Sequence, residues 1–308
     1  MAKLNLRGLI AAPHTPFTLD EDIAVQVIPL QAEALRRCGV RGAFVCGTTG
    51  EGLSLTVPER KRCLEAWVDA SRRDFDIIAH VGAASERDAI ELTKHAAQLE
   101  VTAVAALPCF YHRPPSIEAA VTSLKRIADA AMGLPTFYYH LPALSHVDFS
   151  LVHFAEHAVR SIPNFCGIKV SKPDLLEYAQ LMAELGSCLD LPWGCDELYM
   201  AAAAAGAVVY VGSTYNHSAA LYQRLQEAIN EGQTDVAREI SLSLQGMIRD
   251  LIPGGVIANQ KRILSGLGIP LGDVRSPLAR GVLGTTADHL LTSSLIDRRN
   301  DLRTTQDS

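Results

Sequence analysis

The residues able to do chemistry in this chain sit in short polar interruptions of apolar runs, and Lys169 is the sharpest of them. It lies in Phe165 to Ser171, FCGIKVS, where a strand-like run ends, with Ile168 and Val170 on either side. A free lysine amine, with a pKa near 10.4, is neutral in only about one molecule in a few thousand at pH 7. Desolvating such an amine recovers roughly a thousandfold, which is what Schiff-base chemistry at a carbonyl requires. The plainer alternative is a strand-end lysine snorkelling to water. Lys172, beside Pro173, reads as solvated, and Pro173-Asp174-Leu175 reads as a helix start with proline in the first turn.

Four other stretches have suitable chemistry. Gly47-Thr48-Thr49-Gly50-Glu51-Gly52 combines glycines that let a ligand approach the backbone with two hydroxyls suited to a carboxylate, although Thr48 to Glu51 also matches a capping box. In Phe137-Tyr138-Tyr139-His140, strand alternation sends the two tyrosines to opposite faces. One hydroxyl then serves as a proton shuttle, or both rings simply pack. Gly194-Cys195-Asp196-Glu197 offers adjacent acids for sugar hydroxyls or for a helix N-terminus. Gly212-Ser213-Thr214-Tyr215-Asn216 offers further hydroxyls or a helix cap. His153-Phe154-Ala155-Glu156-His157 spells H-x-x-E-H, a zinc-peptidase pattern, but no third ligand accompanies it.

Eight β-like runs followed by helical patterns would position these stretches. They are Gly8 to Ala12, Gly42 to Cys46, Ile77 to Val81, Ala103 to Leu107, Thr136 to His140, Gly167 to Val170, Leu191 to Gly194 and Ala207 to Val211. Such repetition predicts an α/β fold, a (β/α)8 TIM barrel. The doubly wound alternative lacks a GxGxxG after its first strand. Helices are expected over Pro58 to Ser71, Ser85 to Leu99 and Ile117 to Ala131, with Thr56 and Glu59 forming a capping box. Later patterns over Thr234 to Leu251, Ala258 to Ser265 and Pro277 to Thr292 predict a C-terminal helical extension at about 232–297 of a single domain spanning 1–297. Residues 298–308 are expected to be a disordered tail.

Composition narrows the function. With 308 residues, 48% hydrophobic and 20% charged, the chain has material for one large core. A net charge of −6 argues against nucleic-acid or anionic-membrane partners. There is no apolar run of about 18 residues or leader-like N-terminus, so a soluble cytoplasmic protein is expected. Seven cysteines, odd in number and without a CxxC pair, fit core thiols in a reducing compartment.

Taken in order, GTTGEG, YYHLPAL, GIKVS, GCDE and VGSTYN resemble the N-acetylneuraminate lyase group of the dihydrodipicolinate synthase family, over nearly the whole chain. The resemblance implies an eightfold barrel with extra C-terminal helices, a homotetramer, and pyruvate bound on a lysine without cofactor or metal. By residue it implies Lys169 as the Schiff-base lysine, Tyr139 as the proton shuttle and Tyr111 as a supporting tyrosine that commonly reaches a neighbouring subunit. Thr48 and Thr49 would hold the 2-oxo acid carboxylate, and Ser171, Gly194, Asp196, Glu197 and Ser213 would contact a 2-oxo sugar acid. Leu144 replaces the arginine that dihydrodipicolinate synthases use for a second carboxylate, and His146 stands where glycine is common. The implied activity is aldol cleavage of N-acetylneuraminate to pyruvate and N-acetylmannosamine. The alternatives are another Schiff-base 2-oxo-acid lyase, a dehydratase or a dihydrodipicolinate synthase-like enzyme, and, from another class, a non-catalytic sugar-acid binding barrel.

Overall fold

A computed structural model describes residues 3–71 and 74–278. Seven parallel strands, β1 (Gly8–Ala11), β2 (Gly42–Val45), β3 (Asp76–His80), β4 (Ala103–Ala106), β5 (Thr136–His140), β6 (Phe165–Val170) and β7 (Val209–Gly212), pair in the order β6-β5-β4-β3-β2-β1-β7. The eighth stave is thinner than the run at Leu191 to Gly194 predicts. Asp190 bridges Gly167, and Trp193 bridges both Val170 and Tyr210, so isolated bridges close the ring between β6 and β7. Pro192 lies between them and has no N–H to give a ladder. Its carbonyl still accepts from the Val170 N–H at 2.8 Å. The result is a closed β/α barrel.

Helices cover the outside: α1 (Ile28–Arg37), α2 (Val57–Ala70), α3 (Glu86–Gln98), α4 (Ile117–Ala130), the short α5 (Pro142–Ser145), α6 (Leu151–Ser161), α7 (Leu175–Leu185), α8 (Tyr199–Ala204) and α9 (Tyr215–Asn230). Their starts follow local chemistry. Thr56 and Glu59 complete the expected capping box on α2, and Ser85 and Ser116 cap α3 and α4. Asp174 caps α7, which places Pro173 ahead of the cap and not in the first turn as predicted. Strand alternation then divides the core. Ile10, Phe44, Ile78, Phe137, Tyr139 and Val211 fill the barrel, while Tyr138 faces outward and stacks on Phe154 of α6 with ring centroids 4.1 Å apart. The H-x-x-E-H residues ride on that same outer helix, with His153 exposed and Glu156 paired to Arg160 at 3.5 Å.

The C-terminal extension continues as α10 (Thr234–Leu251) and α11 (Val256–Gly266); the helix expected over Pro277 to Thr292 and the tail at 298–308 lie outside the described residues. After α11 the chain crosses to the barrel mouth, where Arg275 makes a two-pronged ion pair with Glu59 at 2.7 and 3.0 Å and also donates to the Glu21 carbonyl. The Arg275 guanidinium holds Glu59 at about 2, below the ordinary value of 4.5, and the two side chains are only 14% and 19% exposed. A depressed carboxylate contributes stability above its unfolded pKa, and that contribution is lost as pH falls toward the folded one. Glu59→Gln is therefore expected to cost on the order of 2 kcal/mol at pH 7, with the gap from the parent narrowing by about 1 kcal/mol at about pH 3.5. Urea titrations at both pH values read this. An equal gap at both would remove the ion pair as the cause.

Candidate active site

Lys169 is 5% exposed and points into the barrel from β6, as the alternation with outward-facing Ile168 and Val170 requires. Its Nζ lies 3.9 Å from the centroid of the Phe44 ring and 4.1 Å from that of Tyr139. No ion pair among the described residues involves it; the nearby lysines at 172 and 261 take the carboxylates instead. An amine on two aromatic faces, free of a carboxylate clamp, is placed to attack a carbonyl. Tyr139, paired with Lys169 across β5 and β6, packs edge-on against Phe44 and His80. Its hydroxyl shares a 3.3 Å hydrogen bond with Thr48 Oγ1.

The threonine loop is built from behind. Cys46 and Glu51 both adopt left-handed backbone conformations, turning the chain sharply after β2. Glu51 does not cap a helix here: its carboxylate meets Lys261 at 2.7 Å, both side chains fully buried, and accepts the Arg275 N–H at 2.8 Å. Thr15 donates to the Gly50 carbonyl at 2.6 Å. The loop thus presents Thr48 and Thr49 from a fixed frame, with backbone and hydroxyl donors suited to a carboxylate.

Across a cavity of about 330 Å³ that takes in Lys169, Tyr139, Thr48 and Thr49, the opposite wall carries Ser171, Gly194, Asp196, Glu197 and Ser213. Asp196 is buried, and burial raises its pKa. One of its oxygens accepts the Thr214 N–H at 2.9 Å and the Thr214 hydroxyl at 2.7 Å. Its Oδ1 is shut off from solvent and makes no hydrogen bond of good geometry, the Tyr215 hydroxyl adding a weak interaction. A Cβ on Gly212 would overlap this carboxylate, and one on Gly194 would strike the Ser171 hydroxyl, so both sites need glycine for close approach. The acid is thus fixed by the loop after β7 and does not serve as a helix cap. Glu197 is exposed at the rim, where its carbonyl accepts from Gln245 at 3.0 Å.

Leu141, Leu144, Ile248, Leu251 and Val256 also line the cavity. Sequence reasoning missed the last three as site residues because an amphipathic helix shows which face is apolar and not what that face covers. Phe44 was findable, since its alternation with the outward-facing Ala43 and Val45 directs it inward. Tyr111 is not part of this cavity: it is 78% exposed on the loop after β4, its ring against His112. Lys172 corrects a sequence expectation. Its side chain is only 25% exposed and pairs with Asp148 at 3.0 Å, Glu177 at 3.1 Å and Asp174 at 3.6 Å. His140, Asp148 and Glu177 lie close enough together to hold a metal ion, but the Lys172 ammonium already sits on both of those carboxylates. His146 takes the left-handed position at the end of α5, which explains why glycine suits that place. Burial pushes the Cys195 thiol up to about 12, so it stays protonated.

A parallel barrel with a lysine and a tyrosine facing each other at the C-terminal mouth of its strands defines a class of protein built for carbonyl chemistry at an amine. The Dihydrodipicolinate synthetase family profile matches residues 5–284. The chain belongs to that family. It is 36% identical over 295 residues to N-acetylneuraminate lyase A of Xenopus laevis, covering 94% of this chain and 96% of that one. Among solved structures, an N-acetylneuraminate lyase of Aliivibrio salmonicida superposes with a TM-score of 0.89 at 36% identity, covering 96% and 97% of the two chains. One of Proteus mirabilis superposes with a TM-score of 0.88 at 36% identity, covering 94% and 97%.

Proposed function

We propose that this protein is a carbon-carbon lyase, a Schiff-base aldolase that reversibly cleaves N-acetylneuraminate to pyruvate and N-acetylmannosamine. The observation that carries the reading is the pairing, in one cavity, of a carboxylate-free lysine with a polar wall of Ser171, Asp196, Glu197 and Ser213. Thr48 and Thr49 hold the substrate carboxylate beside Lys169. The Lys169 amine adds to the C2 ketone, and loss of water gives an iminium. As the C3–C4 bond breaks, its electron pair flows into the iminium to form an enamine; the C4 hydroxyl gives its proton to the Tyr139 oxygen while the phenol passes its own proton to the substrate carboxylate held beside Thr48. C4 leaves as the aldehyde of N-acetylmannosamine. Protonation at C3 and hydrolysis release pyruvate and restore the amine. Leu144 at the cavity rim offers no charge for a second carboxylate, which favours this reaction over dihydrodipicolinate synthesis. The same reading takes a cytoplasmic homotetramer as the working form, with the exposed Tyr111 reaching a neighbouring subunit's site.

A panel of 2-oxo acids assayed by pyruvate release tests the reading. N-acetylneuraminate is expected to be cleaved, and release only from other 2-oxo acids would replace it with the lyase or dehydratase alternative. Asp196 decides whether the wall reads the sugar tail. Asp196→Asn preserves an oxygen for Thr214 but removes the carboxylate charge from the cavity wall. Cleavage efficiency is expected to fall roughly ten- to a hundredfold, while borohydride trapping with pyruvate, which has no tail, stays within about twofold. Equal loss in both assays would make Asp196 a structural residue only.

A further inference from the structure

Ser213 faces the cavity, but its oxygen is already engaged from behind. Gln260 Nε2 on α11 lies 3.0 Å from Ser213 Oγ, and Gln260 Oε1 lies 3.1 Å from Nε2 of His14, on the loop after β1. Gln260 is 0% and His14 1% exposed, and neither lines the cavity. Burial, with Lys261 and His217 nearby, lowers His14 to about 3, so its imidazole is neutral and carries one N–H. Two hydrogen polarities are open to such a chain. If the His14 proton is on Nε2, it is donated to Gln260 Oε1, the Gln260 amide N–H is donated to Ser213, and the serine hydrogen is free for the cavity. In the reverse arrangement the proton sits on His14 Nδ1, which is shut off from solvent and has no partner among the described residues. A buried orphan N–H is costlier than a bare lone pair, and this selects the first polarity.

We propose that Gln260 and His14 are positioning residues that make Ser213 a one-way hydrogen-bond donor into the cavity. The inference rests on the sugar-acid reading and extends it to the substrate's substituents. At that place the Ser213 hydrogen asks the tail for an acceptor, which a hydroxyl oxygen supplies. A deoxygenated carbon at the same place offers that hydrogen no lone pair, so the site favours a tail that carries oxygen there.

Two measurements test this. Magic-angle-spinning NMR of the histidine-labelled, ligand-free protein should find His14 neutral with its proton on Nε2. A proton on Nδ1, or a charged ring, overturns the proposal whatever the substrate is. In steady-state cleavage of N-acetylneuraminate, Gln260→Glu leaves an acceptor-only group that draws the Ser213 hydrogen backward; KM should rise about tenfold with kcat within about twofold. Gln260→Met leaves Ser213 free to rotate, and KM should change by about threefold or less. Pyruvate trapping should be unchanged in both. A loss in Gln260→Met equal to or larger than that in Gln260→Glu, or weakened trapping in either, assigns Gln260 to packing and overturns the proposal. A parent that releases no pyruvate from sugar acids instead defeats the proposed function, and the His14 tautomer still decides the hydrogen polarity.

Discussion

Lys169→Ala is expected to abolish borohydride trapping with pyruvate and to lower turnover by about a millionfold, to the floor of a pyruvate-release assay. No other amine among the described residues is placed to substitute for it. Lys261 is fully buried in its pair with Glu51, and Lys172 is engaged by three carboxylates. Lys172→Met should therefore keep trapping intact and lose only the modest stability of a partly exposed ion-pair hub, on the order of 1 kcal/mol. Lys169→Arg adds a control on charge, since a guanidinium stays protonated and forms no imine. Mass spectrometry of the trapped protein separates the possibilities. Covalent mass gained by the Lys169→Ala variant would move the chemistry to another residue, and the assignment of Lys169 would be withdrawn.

What the sequence revealed and what it concealed divide along the range of the interactions. Lys169 was legible because its neighbours are local: apolar residues alternate around it, and a helix start follows at once. The facing of Tyr139 was narrowed to one of two tyrosines by alternation, but only the packing of Phe154 against Tyr138 assigns which one turns inward. The stave at Leu191 to Gly194 was over-read because its composition is strand-like while Pro192 interrupts its ladder. Lys172 was misread as solvated because its partners Asp148 and Glu177 arrive from other loops and helices. The chain from His14 through Gln260 to Ser213 joins residues separated by 246 and 47 positions, so no local pattern announces it. The same holds for Glu51, whose motif suggested a cap and whose actual partner, Lys261, comes from the C-terminal extension.

Tyr139→Phe should lower kcat for sugar-acid cleavage by about a hundred- to ten-thousandfold, the range for a general acid or base acting in the transition state. The substitution is close to isosteric. It preserves the ring face 4.1 Å from Lys169 Nζ and the edge contacts to Phe44 and His80, and removes only the hydroxyl and its 3.3 Å link to Thr48. Pyruvate should still become trapped on Lys169, more slowly, because the nucleophile and the threonine loop are untouched. Thr48→Val removes the hydrogen bond to the tyrosine and one hydroxyl of the carboxylate cradle but leaves the phenol; the loss of the cradle hydroxyl is read in KM, and kcat, which reads the phenol's orientation, is expected to fall about tenfold. If Tyr139→Phe retained kcat within about threefold of the parent, the proton at the C4 hydroxyl would have to leave by another route, and Tyr139 would be reduced to packing under the lysine. If Thr48→Val instead lost as much as Tyr139→Phe, the pair would act as one unit, with the threonine fixing the phenol oxygen where the proton arrives.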